Sequence, residues 1–167
     1  MKAYKFLAAD GMGVFSGFAW PLPSDAPGPW VEADVAPCRA GIHACRRGDL
    51  SYWVAPVLYE IELDGAVVEG ATKIVARRGR LVRRIHAWNE QTREDYSQMC
   101  VARTAEIAAA NPGELERWTL TPKASEDGPA LVGFVAARVA EAVGGVQAYR
   151  DERARQSHWL ADRLDLD

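Results

Sequence analysis

The sequence has no long hydrophobic run. Its longest apolar stretches, such as Phe134–Ala137, fall far short of the about 20 residues that a membrane-spanning helix needs. The apolar stretch at the N-terminus, Met1–Leu7, is likewise too short for the core of a secretory signal peptide. We therefore expect a cytoplasmic protein that has no membrane partner.

Cysteine is also scarce, with three in 167 residues. An odd number of cysteines in a chain without an export signal is typical of a reducing compartment. A chain of this length buries roughly 70% of its extended surface on folding, so neither a disulfide nor a metal is needed for stability. The length fits one domain, which we assign to residues 1–167, sheet-rich over 1–88 and helical over 89–167.

Neither sign of charge predominates. The net charge is −3, so the electrostatic field of the whole protein selects neither nucleic acid nor an anionic membrane. Hydrophobic residues make up 49% and charged residues 26% of the chain, which excludes wholesale disorder. Nucleic acid is therefore not an expected partner.

Strand patterns occupy the first half of the chain. Residues 2–7 and Leu58–Leu63 alternate in character, which predicts two strands, and Asp64–Gly65 supplies a turn after the second. Glycines and prolines punctuate residues 11–29 and exclude a regular helix there. Four large aromatic residues lie in or beside that stretch: Phe15, Phe18, Trp20 and Trp30. Each such ring buries on the order of 150–250 Å², so we expect the loop to wrap the core.

An arginine-rich segment follows. Lys73–Ala76 and Leu81–Ile85 are two more predicted strands, and Arg77–Arg80 closes a hairpin between them with Gly79 at positive φ. Residues 70–88 contain no acid and six positive charges: Lys73, Arg77, Arg78, Arg80, Arg83 and Arg84.

Two interpretations of these charges stay open. The cluster suits a phosphate or a nucleotide. Alternatively, the arginines pair across strands with Glu60 and Glu62, at a few tenths of a kcal/mol to about 1 kcal/mol per pair. Trp88 is the one large aromatic residue in the segment, which disfavours stacking with single-stranded nucleic acid.

After Trp88 the apolar residues recur every three or four positions, which predicts an amphipathic helix. Asn89 or Thr92 caps its start, and Asn111–Gly113 ends it. A short strand is possible in the irregular stretch around Trp118–Leu120.

Two more helices are predicted near the C-terminus, over about 129–143 and 146–164, separated by the pair Gly144–Gly145. The first should bury an apolar stripe that includes Leu131 and Phe134. The fold class is therefore α+β, with a mostly antiparallel sheet over about 1–88 followed by helices over about 90–164.

The densest reactive segment is Cys38–Cys45. In an extended conformation His43 and Cys45 point to the same face, an arrangement that suits a thiolate nucleophile with an imidazole base. Cys38, His43 and Cys45 also resemble half of a zinc site. The third interpretation is two buried cysteines that flank a hydrogen-bonded histidine. The spacing favours this third interpretation over a metal site.

The order of Gly41–Cys45, Leu58–Gly65 and Lys73–Trp88 resembles a family of bacterial and phage domains whose activity is not established. The beginning, Ala3–Leu7, and the end, Gln156–Ala161, are similar to actinobacterial members of that family. This resemblance covers most of the chain and implies no particular activity.

A more distant resemblance is to ADP-ribosyltransferase domains. The segment Gly41–Ala44, followed by a strand that ends in Asp64–Gly65, looks like the middle of those domains. Where that family has a His-Gly-Ser/Thr strand, this chain has Tyr4–Phe6. The resemblance implies NAD as the ligand and transfer of its ADP-ribose.

We therefore expect a single α+β domain that binds a small anionic ligand or a protein partner and has no cofactor of its own. The predicted binding face consists of His43, Arg77, Arg80, Arg83 and Arg84. The alternative is an enzyme, which either resembles the ADP-ribosyltransferases and uses NAD or employs Cys45 as nucleophile and His43 as base.

Overall fold

The fold combines an antiparallel sheet with a helical layer. The computed structural model describes residues 1–36, 40–113 and 128–167. In chain order the elements are strands β1 (Lys2–Leu7), β2 (Val31–Glu32) and β3 (Ile42–Ala44), a 3₁₀ helix (Arg47–Tyr52), strands β4 (Val57–Glu69) and β5 (Ile74–Arg84), and helices α1 (Glu90–Ala110) and α2 (Pro129–Arg163). The predicted α+β class is confirmed, with five described strands ahead of the helices. The possible strand at Trp118–Leu120 lies outside the described residues.

The described strands pair antiparallel in the order β1-β4-β5-β2, and β3 also pairs with β5. The segment after β3 reaches β1 as well, because the backbones of Cys45 and Tyr4 exchange hydrogen bonds of 2.8 and 2.9 Å. Strands β1, β4, β5 and β3 are thus paired in a closed circuit.

Strands β4 and β5 are joined later than the sequence predicts. The chain reverses between Glu69 and Ile74, where the Gly70 amide donates to the Lys73 carbonyl at 2.7 Å. The turn predicted at Asp64–Gly65 is wrong, because these residues lie inside β4. A register shift there produces an irregularity in the pairing, and both strands continue past it.

The hairpin predicted at Arg77–Arg80 is also wrong, because β5 runs through these residues as one strand. Gly79 pairs with Leu63 of β4 on one side and with Val31 of β2 on the other. A Cβ at Gly79 would lie 2.7 Å from Ile42 Cγ2 and 3.1 Å from Leu63 Cδ2. The glycine therefore permits close packing within the sheet and does not make a turn.

The first helix has the predicted boundaries. Asn89 caps α1 by accepting a hydrogen bond from the Thr92 amide at 3.0 Å. The helix ends at Ala110, directly before Asn111.

Helix α2 consists of two helical halves joined at a break. Gly145 has φ 73° and ψ −171°, so the helix is interrupted at the predicted glycine pair. The two halves return antiparallel, since Gln156 Nε2 donates to the Gly133 carbonyl at 3.0 Å.

The first half of α2 is apolar on two sides. Leu131 and Phe134 are 50% and 46% exposed, so the prediction that they are buried is wrong. The helix turns Val132 and Ala136 to the core instead.

By length and composition alone, α2 is the one helix in the described residues that is apolar enough to cross a membrane, with a mean hydropathy of 1.4 over 18 residues. The same helix is broken at Gly145.

The sheet has a hydrophobic core on each face. Side chains alternate along β1 and β4, so Tyr4, Phe6 and Leu58 face the helices, while Leu7 and Ile61 face the opposite side. Residues 11–29, the glycine-rich loop, lie over part of this second core, to which they contribute Trp20.

The glycine-rich loop covers the second core only in part. Trp20 is 7% exposed and packs there as predicted, whereas Phe15 and Phe18 are 88% and 44% exposed, so the expectation is wrong for these two residues. The ring of Phe18 lies edge-on to Trp20 at 5.5 Å between centroids. The ring of Phe15 instead lies edge-on to Trp53, at 6.1 Å, beside the end of the 3₁₀ helix.

Replacing Gly79 by alanine tests the packing of β5. The added Cβ pushes against Ile42 and Leu63, so we expect the free energy of unfolding to fall by about 1–3 kcal/mol, the usual cost of overpacking. Gly48 is the matched control, because a Cβ there meets nothing within 4 Å. Gly48→Ala should change the stability by less than about 0.5 kcal/mol. Urea denaturation measures both values, and wild-type stability of Gly79→Ala would contradict the close packing.

Candidate functional site

A cavity of about 510 Å³ opens beside the bridge between Tyr4 and Cys45. Its walls come from β1, the end of β3, the end of the 3₁₀ helix and residues 13–16 of the glycine-rich loop. The lining residues include three basic ones, Lys5, His43 and Lys73, and several aromatic ones, among them Phe15, Tyr52 and Trp53. Among the described residues that line this cavity, none is acidic.

Lys5 connects β1 to β3 through its side chain. Its Nζ donates to the His43 carbonyl at 2.6 Å and lies 4.8 Å from the centroid of the Trp20 ring. No carboxylate of the described residues forms an ion pair with Lys5. Burial lowers the pKa of Lys5 to about 8, and only Cys45 acts in the opposite direction.

Lys73 reaches the cavity from the turn between β4 and β5. Its Nζ lies 5.9 Å from the centroid of the Trp53 ring. The Trp53 indole donates to the Thr72 carbonyl at 2.6 Å, and Arg46 donates to the Gly70 carbonyl at 2.9 Å. These two bonds fix the turn against the 3₁₀ helix and so set the position of Lys73.

His43 carries an unsatisfied ring nitrogen. Its Nε2 is buried and has no hydrogen-bond partner among the described residues. Burial lowers the pKa of the imidazole, and the positive charges of Lys73 and Lys5 lower it further. The ring is therefore neutral at pH 7, and its Nε2 is a buried polar atom without a hydrogen bond in the described part of the chain.

Cys45 also lines the cavity, but its thiol is protonated. The residue is 2% exposed, and its Sγ donates to the Tyr4 carbonyl at 3.4 Å. Burial, helped by the charge of Asp49, raises the pKa of the thiol to about 12. A nucleophilic cysteine needs the opposite shift, so the geometry does not favour attack by Cys45 with His43 as base.

A metal site gains no support from the described part of the chain. No group of three or more His, Cys, Asp or Glu side chains that could hold a metal ion occurs there. Cys38, the third member of the weak zinc candidate, lies outside the described residues.

The five arginines of β5 are absent from the described lining of the cavity, and three of them, Arg78, Arg80 and Arg83, face acids on neighbouring strands. Arg83 contacts Glu60 at 2.9 Å, and Arg80 contacts Glu62 at 2.7 Å. The guanidinium groups of Arg78 and Arg80 lie 4.3 and 4.7 Å from the Trp30 ring centroid. None of the four predicted binding arginines, Arg77, Arg80, Arg83 and Arg84, is among the described lining residues.

The structure therefore brings His43 together with Lys5 and Lys73, and not with the arginines. The sequence pattern does not identify Lys5 as a site residue, although a charged residue between Tyr4 and Phe6 in a buried strand is a usable signal. Lys73 is recognisable from the sequence only as one charge of the arginine-rich segment. Trp53 was missed, because nothing in the local pattern places it near Phe15.

A second, wider hollow of about 760 Å³ lies at the beginning of α1. It is open to solvent, and its charged lining residues are of both signs: Glu90, Arg93 and Glu94. Because this hollow has charges of both signs, whereas the described lining of the cavity beside β3 has basic residues and no acid, that cavity is the stronger candidate for a binding site.

The thiols give a test of the electrostatics at the cavity. In a Cys38→Ser variant the remaining cysteines are Cys45 and Cys100, whose thiol pKa values burial raises to about 12 in both cases. We expect both to react with Ellman's reagent at pH 7.5 at least a hundredfold more slowly than in the urea-unfolded variant. Rapid, selective labelling of Cys45 in the folded protein would contradict the protonated thiol and restore the nucleophile hypothesis.

Comparisons of the chain with family models, with curated proteins and with solved structures find no match. The resemblances to the bacterial and phage domains and to the ADP-ribosyltransferases consequently stay predictions. The candidate site rests on the geometry of the cavity alone.

Proposed function

We propose that this protein binds a small anionic ligand with a planar ring, of the nucleotide class, in the cavity formed by β1, β3 and the 3₁₀ helix. The observation that carries the proposal is the lining. It combines Lys5, His43 and Lys73 with no acid among its described residues, in a chain of net charge −3. A volume of about 510 Å³ lies within the range of small-molecule sites.

The basic groups suit the anionic part of such a ligand. Lysine ammonium groups act as point charges toward phosphate, and hydrogen bonds to charged groups are stronger than neutral ones. His43 lines the same cavity, and its buried Nε2 lacks a hydrogen-bond partner among the described residues. An anion bound in the cavity would lie near the positive charge of Lys5, which has no acid beside it in the described lining.

The aromatic groups suit the planar part. Phe15 is 88% exposed yet lies edge-on to Trp53 at the cavity. An exposed ring beside a second ring offers a surface on which a base or another planar group stacks, worth about 1–3 kcal/mol in nucleic-acid complexes. NAD belongs to this ligand class, so the cavity is also compatible with the ADP-ribosyltransferase alternative. Among the described residues no side chain is assigned to transfer chemistry.

A ligand panel followed by thermal unfolding tests the proposal. ATP, ADP, NAD and ribose 5-phosphate are each added near 100 times the dissociation constant, where a ligand raises the stability by about 2.7 kcal/mol. For a protein of this size that corresponds to a rise in melting temperature of roughly 5–10 °C. We expect at least one nucleotide to produce it.

Two variants locate the site in the same assay. Lys73→Ala removes a lining charge and should abolish most of the shift, whereas Arg83→Ala, on β5 outside the cavity, should leave it intact. Loss of the shift in Arg83→Ala alone would move the site to the arginines of β5. No shift with any member of the panel would overturn the proposal.

Affinity for an anion should depend on pH in two steps. Sulfate is a suitable probe because its charge is constant between pH 5 and pH 10. Above about pH 8 Lys5 loses its proton, so affinity should fall roughly tenfold; at low pH His43 becomes protonated, so affinity should rise. The nearby groups Tyr4, Tyr52 and Cys45 stay neutral across this range, because burial raises the pKa of each.

Isothermal titration at pH 5.5, 7 and 9.5 measures these steps. Lys5→Arg is the matched control, because a guanidinium keeps its charge and should remove the decrease above pH 8. A wild-type affinity that is flat between pH 7 and pH 9.5 would contradict a role for Lys5 in the site.

A further inference from the structure

Lys5 has different surroundings from Lys2, its neighbour on the same strand. Lys2 is exposed and lies 3.7 Å from a Glu60 oxygen and 3.6 Å from an Asp167 oxygen. Lys5 has no carboxylate partner among the described residues, and its Nζ contacts a backbone carbonyl and the face of Trp20. Two lysines that are three residues apart on β1 thus differ in their surroundings: Lys2 has carboxylate partners, and Lys5 has none among the described residues.

The surroundings change the protonation of the Lys5 amine. A lysine pKa of about 8 leaves about a quarter of the side chains neutral at pH 7.5, against about 0.1% for an ordinary lysine. The neutral amine has a lone pair and is the nucleophilic form. Lysines that are desolvated in this way form imines with carbonyl substrates.

The groups around the amine suit such a reaction. Lys73 comes from the β4–β5 turn, and its charge can hold the anionic part of a ligand. His43, from β3, lines the same cavity with a neutral ring, so it can accept and return a proton. The thiol of Cys45 is neutral, and no described lining residue is an acid that would hold the amine in its charged form.

We propose that Lys5 forms an imine with the aldehyde or ketone group of an anionic ligand bound in this cavity. The proposal rests on the proposed function for the cavity and adds a covalent step to it. It predicts that the physiological ligand carries a carbonyl group as well as a negative charge.

The step balances without any other reactant. The Nζ lone pair attacks the carbonyl carbon, a C–N bond forms, and the C=O π electrons move to the oxygen. A proton transfers from nitrogen to that oxygen and gives a carbinolamine. Loss of water, with the second proton, then gives the imine, so one amine and one carbonyl yield one imine and one water. A protonated imine keeps one N–H, which can still donate to the His43 carbonyl that accepts from Lys5 in the free protein.

Reductive trapping with pyridoxal 5′-phosphate tests the proposal. This probe is an aromatic aldehyde with a phosphate, so it has the planar ring, the charge and the carbonyl group. After borohydride reduction, peptide mass spectrometry compares the four lysines of the chain: Lys2, Lys5, Lys73 and Lys123. We expect the Lys5 peptide to be labelled at least tenfold faster than the Lys2 peptide at pH 7.5, with the rate rising to a plateau above about pH 8.

Controls separate binding from imine formation. Pyridoxine 5′-phosphate has an alcohol in place of the aldehyde, so it should raise the melting temperature, protect Lys5 from the aldehyde and leave no adduct. Lys2→Arg should not change the labelling of Lys5, whereas Lys5→Arg should remove the fast labelling and leave only the slow labelling of the other three lysines. If Lys5→Arg does not fold, the rates and the protection in the wild-type protein decide the question.

Two results would overturn the proposal in different ways. If pyridoxine 5′-phosphate stabilises the protein but Lys5 is labelled no faster than Lys2, the cavity binds the anion and the imine proposal alone fails. If neither compound stabilises the protein and the lysines are labelled at similar rates, the imine proposal fails together with the cavity as a site for phosphorylated rings.

Discussion

The long antiparallel pairing of β4 with β5 is the constraint on which the other contacts of the protein depend. β1 pairs with β4 over Val57–Glu62, near one end of this ribbon, whereas β3 pairs with β5 over Ile74–Ala76, near the other end. In a flat sheet these two strands would be far apart. The register shift in the middle of β4 allows the ribbon to bend, and the bend brings Cys45 onto Tyr4. The cavity lies beside this junction, so its shape is set by the curvature of the whole sheet.

The helices contribute to the site indirectly, by holding the 3₁₀ helix. Ser51 Oγ donates to the Arg153 carbonyl at 2.8 Å, and the Ser51 amide donates to Ser157 Oγ at 3.1 Å. The Arg153 guanidinium lies 4.8 Å from the centroid of the Tyr52 ring. Because Tyr52 and its neighbour Trp53 form one wall of the cavity, the second half of α2 supports that wall from behind. A buried polar contact of this kind fixes geometry more strictly than apolar packing does.

Local signals in the sequence predict the local structure well, and contacts between distant segments poorly. The Asn89 cap and the break at Gly145 depend on neighbours within a few residues, so spacing and residue type are sufficient. The turn predicted at Gly79 is wrong because the sequence does not distinguish a glycine in a turn from a glycine against which a distant side chain packs. Here the packing side chain is that of Ile42. Lys5 was overlooked for a similar reason. Its carbonyl partner belongs to His43, 38 residues away in the chain.

Arginines and lysines have different surroundings in this protein, which explains why the proposed binding site is not where the sequence concentrates its arginines. On β5 the arginines meet acids such as Glu60 and Glu62, with which a guanidinium forms directional pairs. Lys5 and Lys73 both line the cavity with no acid among its described residues, and burial opposes the protonation of Lys5. The pKa of Lys5 falls from its usual 10.5 to about 8 on folding, so the unfolded chain binds more protons between these values and stability rises with pH across them. Below about pH 8 the folded protein therefore carries a desolvated positive charge on Lys5. An anion bound in the cavity, as we propose, would stabilise that charge, so its binding would be coupled to the protonation of the desolvated Lys5 amine.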